Sequence, residues 1–294
     1  AEAIALPTAG GIVQSVEAMP APSDCYRVRG VIHPSDPAAP DIRFEAGFPA
    51  RWNRKALHSG GGGLDGVVIP VEMPRPGCRD PLAQGYVVFG SDGGHEMDFS
   101  APADCSWALN DEALENFAHA QLKKTHDAVL WLMQAAYGAA PTETYFVGGS
   151  NGGRECMKAI QLYPEDYQGA VCYFPVLWWI LKVLADQRNG NAAEALGAEA
   201  WIDSEQYAAA QEIILAQCDE LDGLRDGIVS HLEAAHQRTP QTLEALRATL
   251  NDKQLELLRI HSAPISVSYP LGYGPTALPG YNPLEGTALV FGGA

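Results

Sequence analysis

The sequence predicts an α/β fold: a parallel sheet flanked by helices, followed by an α-rich region. Three observations carry this. The runs "GYVVFGSDGGHE" and "ETYFVGGS" are β-branched and aromatic and end in glycines, as buried strands leaving a sheet do. Between them Leu114, Phe117, Leu122, Thr125, Val129, Leu132 and Ala136 fall on one helical stripe. A second helical segment, "NGGRECMKAIQLYP", then precedes a third strand-like run, "GAVCYFP". Strand, helix, strand, helix, strand is the pattern of parallel pairing with crossover helices.

The elements follow in order. Between residues 24 and 60, "CYRVRGVI" and "DIRFEAGFP" alternate as half-buried strands do, and "WNRKALHSGGGGLDG" brings four consecutive glycines after a further strand. The helix from Asp111 is expected to stop at Gly138, a residue free to adopt the left-handed conformation. Past residue 176 the segments become alanine-rich and helical, with caps expected at Ser204, at Thr239 followed by Pro240, and at Asn251. Trp178, Trp179 and Trp201 lie among them, either as core packing or as the lining of an aromatic pocket. The expected organisation is therefore residues 1–175 as the α/β part and 176–294 as a mainly helical region.

Composition narrows the partners. A chain of 294 residues with 47% hydrophobic content buries a sizeable core. Its net charge of -17 repels a phosphate backbone, and no basic patch offsets it, so nucleic acid is not an expected partner. A membrane span needs roughly 18–20 apolar residues. The most apolar stretch, "VCYFPVLWWILKVLA", is interrupted by Pro175 and Lys182, and reads as a core strand running into an aromatic segment. The cysteines (Cys25, Cys78, Cys105, Cys156, Cys172, Cys218) form no CxxC pair, which speaks against zinc, and their even number permits disulfides. "AEAIALPTAGG" has neither the basic nor the apolar part of a leader, so a secretion signal was removed or never existed. Acidic composition with scattered cysteines leads to the expectation of a secreted or periplasmic protein.

Two motifs carry chemistry. Gly148, Gly149, Ser150, Asn151 and Gly152 make a G-x-S-x-G turn between a strand and a helix. Small neighbours let the backbone bend sharply and lift the serine Oγ clear of the sheet, which makes Ser150 a candidate nucleophile. Its oxyanion would need donors, here the N–H of Asn151 and one from the Gly60 to Gly63 loop. The bland reading is a glycine turn with no chemical role. In "CDELDGLRDGIVS", Asp219, Asp222 and Asp226 lie close together with Gly223 and Gly227 between them. Such a loop is either a solvated acidic turn or a hard-oxygen site for calcium, and its spacing is not that of an EF-hand.

Several segments together resemble the tannase and feruloyl esterase family, which includes the hydrolase of mono(2-hydroxyethyl) terephthalate. In order they are "CYRVRG", "FPARWNRK", "GGGGLDG", "GYVVFGSDGGH", "SWAL", "THDAVLWLMQAAYG", "YFVGGSNGGRE", "YPEDYQGAV", "CDELDGLRDGI" and "LPGYNP". The resemblance implies an α/β-hydrolase with a mainly helical lid insertion, a serine carboxylic ester hydrolase (EC 3.1.1) acting on small esters of phenolic, feruloyl or galloyl-like acids through an acyl-enzyme. It implies Ser150 as nucleophile and the N–H groups of Asn151 and Gly62 as the oxyanion hole. It also implies structural calcium held by Asp219, Asp222 and Asp226 with the carbonyls of Leu224 and Ile228.

The sequence departs from the family in two places. Family members have cysteine just before the nucleophile, bridged to one beside the catalytic histidine; here that position is Gly149. The acid and histidine of the triad are also absent from their expected late positions. His231, His236 and His261 read as surface or lid histidines, His95 as structural and His126 as a core histidine. The chain is therefore expected to be the N-terminal part of a longer enzyme, with Asp and His supplied by a C-terminal fragment or a second chain. The alternatives are an esterase for aliphatic or polyester substrates, and a non-catalytic calcium-containing binding protein.

Overall fold

A computed structural model describes residues 3–20, 24–72, 79–101, 104–270 and 276–278. The chain divides into two compact units, Ala1–Leu177 and Trp178–Ala294.

The first unit is built on a seven-stranded sheet: β1 (Gly10–Met19), β2 (Cys25–His33), β3 (Ile42–Pro49), β4 (Lys55–Ser59), β5 (Val87–Ser91), β6 (Glu143–Gly149) and β7 (Gly169–Tyr173). Their order in space is β1-β2-β3-β5-β4-β6-β7. The first pairs are antiparallel, and β5, β4, β6 and β7 run parallel. Every residue of β5 is buried, as expected of a strand covered on both faces. β1 escapes the alternation argument because Ile12, Val13 and Val16 are exposed. β7 corrects the sequence reading: among the described residues it is no core strand, but the edge of the sheet, with Val171 and Tyr173 about half exposed.

The helices of this unit are α1 (Asp111–Glu115), α2 (Gln121–Tyr137) and α3 (Asn151–Leu162). Asn110 caps α1 by accepting the Ala113 N–H, and Gly138 ends α2 at φ 69°, as its sequence position predicts. The predicted single stripe is broken because residues Asn116–Ala120 form a π-helical turn. The wider turn rotates the helix face, leaving Leu114 exposed and Met133 buried. Val129 and Met133 of α2 pack on Val28, Ile42, Phe44, Val87 and Phe89, while α3 packs Cys156 and Ala159 beside Leu122, Phe146 and Tyr167.

The second unit holds α4 (Trp179–Leu196), α5 (Ser204–Cys218), α6 (Leu232–Gln237), α7 (Thr239–Leu246) and α8 (Asp252–Ser262), with a two-stranded pairing of Ile265–Ser266 and Ala277–Leu278. Its core joins Ile202, Ala210, Ile214, Leu246, Leu250 and Leu258. Asn251 forms a capping box with Gln254. The cap of α5 is Asp203 rather than Ser204, with Gln206 as reciprocal partner, and Thr239 is the first residue of α7 rather than its cap. Among the described residues no helix is long and apolar enough to cross a membrane. Cys25, Cys105, Cys156 and Cys172 are free thiols, and Cys78 lies outside the described residues.

Phe89 is fully buried and stacked on His58 at 4.4 Å between ring centroids. Phe89→Ala is expected to cost about 3–5 kcal/mol by chemical denaturation. Trp131→Ala, at an exposed position, is expected to stay within about 0.5 kcal/mol of wild type.

Candidate active site

Ser150 stands between β6 and α3 with φ 56° and ψ -120°. A side chain bearing Cβ rarely occupies that region, at a cost of about 1–3 kcal/mol, so neighbouring bonds must impose it. Its N–H donates to the Tyr173 carbonyl at 3.1 Å, and its own carbonyl accepts the Arg154 and Val176 N–H groups at 3.1 and 3.2 Å. A serine at a helix start ordinarily caps the helix with its hydroxyl; here the side chain makes no capping bond. Asn151 opens α3, so its N–H has no acceptor within the helix.

The flanking glycines are required by space. A Cβ on Gly148 would lie 2.1 Å from the Gly152 carbonyl oxygen, and one on Gly152 would lie 2.5 Å from the Gly61 carbonyl oxygen. The glycine loop after β4 is thereby pressed against the serine turn, and Gly60 N–H donates to Val147 O of β6 at 2.8 Å. Gly62 and Gly63 have open space where a side chain would go, and Gly63 needs its φ of 58°. A Cβ on Gly149, where the family places cysteine, would meet the Phe174 ring at 3.1 Å.

Beneath this junction runs a buried polar network that the sequence reading missed. Asn151 Nδ2 donates to Asp65 Oδ1 at 2.5 Å, and Arg154 Nε donates to Asn151 Oδ1 at 2.5 Å. The Arg154 guanidinium donates to the Phe117 and Ala118 carbonyls in the π-helical turn and stacks over the Phe117 ring, 4.7 Å from its centroid. Glu155 accepts the Gly61 N–H at 2.8 Å and Gln121 Nε2 at 2.9 Å, and Ser91 Oγ donates to Gln121 Oε1 at 2.5 Å. The one available signal was the pair of charged residues, Arg154 and Glu155, set among the small residues of "NGGRECM".

Among the described residues no histidine is hydrogen-bonded to the Ser150 hydroxyl. His95 is buried and stacked on Trp107 with centroids 3.8 Å apart, and burial pushes its pKa down to about 4. His126 is buried, with Nδ1 2.9 Å from Asp127 Oδ1. His231 lies at the start of α6, His236 within it, and His261 in α8, where burial and then the Arg188 charge lower its pKa.

Asp219, Asp222 and Asp226 occupy one exposed loop after α5. Asp219 accepts the Gly227 N–H, Asp222 those of Leu224 and Ser230, and Asp226 that of Ile228, all within 3.1 Å. These backbone donors hold the Asp222 carboxyl below its ordinary range. Gly223 and Gly227 bend the loop at φ 93° and 79°. The carboxylates and the carbonyls of this loop are hard oxygens of the kind calcium takes. Among the described residues the ligand atoms of His126, Asp127 and Asp166 also lie within 4.8 Å of one another, and Lys123 Nζ already bridges the two carboxylates at 2.7 and 2.9 Å. Trp178 and Trp201 are about half exposed, which sets aside core packing for these two.

The contact between the loop and the turn can be tested without substrate. Gly152→Ala is expected to destabilise the first unit by about 1–3 kcal/mol through overpacking. Gly62→Ala, with no atom within 4 Å of the added carbon, is expected to leave its melting temperature unchanged.

A family model described as tannase and feruloyl esterase matches residues 25–288. An uncharacterized esterase of Agrobacterium fabrum is 33% identical, over 99% of this chain and 56% of its own length. A probable feruloyl esterase B of Aspergillus clavatus is 26% identical over 79% of this chain and 41% of its own. The chain thus spans about half the length of the curated relatives it matches. Crystallised feruloyl esterase B from Aspergillus oryzae superposes with a TM-score of 0.70 at 22% identity, covering 97% of this chain and 58% of that one. Tannin acyl hydrolase from Aspergillus niger does so at 0.58 and 16%, covering 95% and 56%. These superpositions agree with the mixed sheet in giving an α/β-hydrolase fold, and the extent of the sequence match makes this chain a member of the tannase and feruloyl esterase family.

Proposed function

We propose that this chain carries the nucleophile and oxyanion-binding part of a serine carboxylic ester hydrolase for esters of aromatic acids. The observation that supports this most is the backbone of Ser150, held at a strained φ and ψ with its hydroxyl uncommitted beside a helix N-terminus and a glycine loop. Relatives named for feruloyl esters and tannins supply the substrate class.

In this reading Ser150 Oγ attacks the ester carbonyl and passes its proton to a histidine from a C-terminal segment or a second chain. The developing oxyanion accepts hydrogen bonds from the Asn151 N–H and a backbone N–H near Gly62. The returning proton leaves with the alcohol, and water then releases the acid from Ser150. Trp178 and Trp201, in a helical unit that would act as a lid, offer aromatic surface for the acyl group. Asp219, Asp222 and Asp226, with the carbonyls of Leu224 and Ile228, would hold calcium, which would neutralise their mutual repulsion and fix the loop. Export is part of this reading on composition alone.

The uncommitted Ser150 hydroxyl also favours a second reading, a ligand-binding protein on the same fold. Intact-mass labelling with a fluorophosphonate separates the two. The esterase reading expects one adduct, lost in Ser150→Ala; no adduct on the folded, calcium-loaded chain, alone or with the C-terminal part of a relative, would favour binding. For calcium, saturation at 100 times Kd is expected to stabilise the second unit by about 2.7 kcal/mol, and Asp222→Asn to abolish that shift in thermal melts.

A further inference from the structure

We propose that Asp65 and Glu155 share one proton, with Asp65 as the neutral acid donating from Oδ2 to the Glu155 carboxylate, and that this pair positions the glycine loop against the Ser150 helix. The inference rests on the esterase reading for its purpose, but not for its chemistry.

Both side chains are nearly fully buried, Asp65 at 3% and Glu155 at 1% exposure. Two adjacent buried carboxylates cannot both ionise without a large electrostatic cost. The hydrogen bonds say which one keeps the proton. Glu155 accepts on both oxygens, from Gly61 N–H at 2.8 Å and Gln121 Nε2 at 2.9 Å, the pattern of a carboxylate. Asp65 accepts on Oδ1 only, from Asn151 Nδ2 at 2.5 Å, and its Oδ2 is buried with no hydrogen-bond partner. An orphaned buried oxygen is costly, and a proton on it turned towards Glu155 removes the cost. Burial and then the Glu155 charge push the Asp65 carboxyl well above its ordinary range, in agreement.

The pair occupies the one place where loop and helix must be held in register. Asp65 closes the glycine loop, its N–H donating to Gly62 O at 2.8 Å, and reaches α3 through Asn151. Glu155 belongs to α3 and reaches back to the loop through Gly61. Each acid thus grips the other's element, and the two N–H groups assigned to the oxyanion, at Asn151 and near Gly62, sit at the two ends of the clamp. Gly61 and Gly93 leave no room for a side chain beside it: a Cβ on either would lie within 3.0 Å of Asp65. The other ionisable groups around Asp65 are Arg154 on α3 and Asp92 and His95 in the segment leaving β5.

An asparagine at 65 reproduces the neutral acid: its oxygen accepts from Asn151 and its amide donates to Glu155. A glutamine at 155 turns an N–H towards a donor. The wild-type acid keeps its proton in the fold but loses it in the unfolded chain above about pH 4, so its stability falls as pH rises towards the raised value. Asp65→Asn escapes that loss, whereas Asp92 is present in both proteins and cancels in the comparison. Expected results are an Asp65→Asn melting temperature equal to wild type at pH 4 and about 2–4 °C higher at pH 8. Glu155→Gln should melt lower at both. The infrared difference between wild type and Asp65→Asn at pH 8 should show the loss of one protonated carboxylic-acid C=O stretch, and fluorophosphonate labelling of that variant should stay within about threefold of wild type while Asp65→Ala loses it. A lower melting temperature for Asp65→Asn at pH 8, or no carboxylic-acid band lost in the wild-type minus Asp65→Asn difference at that pH, overturns the proposal. If wild type does not label even with the C-terminal part of a relative present, the esterase reading fails, and the melting and infrared results still decide the pair.

Discussion

Two stretches of backbone meet at Gly61 and Gly152 so closely that a single added carbon would strike a carbonyl oxygen 2.5 Å away. The arrangement around Ser150 follows from that approach. With the loop pressed on the start of α3, the Gly60 and Gly61 backbone lies against Gly152, next to Ser150 and Asn151. The strained serine is kept from relaxing by the bonds its own backbone makes to Tyr173, Arg154 and Val176. Close contact between glycines is attractive only through dispersion and is easily lost, which explains why charged and amide side chains are buried immediately beneath it.

Those side chains form a connected system. Ser91 at the end of β5, Gln121 on α2, Glu155 on α3 and the Gly61 N–H make one line; Asp65, Asn151, Arg154 and the carbonyls of the π-helical turn make another. The π-helical turn thus has a structural role, because its Phe117 and Ala118 carbonyls are the acceptors for a buried guanidinium. Removing one member would leave its neighbours desolvated and unpaired, so effects of substitution along these lines should not add.

How much of this was legible depended on the range of the physics involved. β2, β3, β5 and the stop at Gly138 follow from local alternation or local conformation, and so did the strand-turn-helix placement of Ser150. β1 was missed because its apolar residues face outwards, and the stripe through Leu114 failed because a π-helical turn changes the period without a local marker. Ser204 was preferred to Asp203 as a cap although both are capping residues one position apart, and only the backbone conformation separates them. Asp65 and Glu155 were invisible for a different reason. Their relation spans ninety positions of sequence, and the charged pair Arg154 and Glu155 among small residues gave no hint of a partner in the glycine loop.

The exposed edge at β7 has a bearing on handling. Val171, Tyr173 and Phe174 present apolar surface beside a strand edge that no other strand pairs with among the described residues, which is a template for adding a strand from another molecule. What opposes such pairing is colloidal repulsion from the net charge of -17. That repulsion fades near the isoelectric point of about 4.7 and is screened by salt. The chain is therefore best kept dilute, mildly alkaline and at low ionic strength.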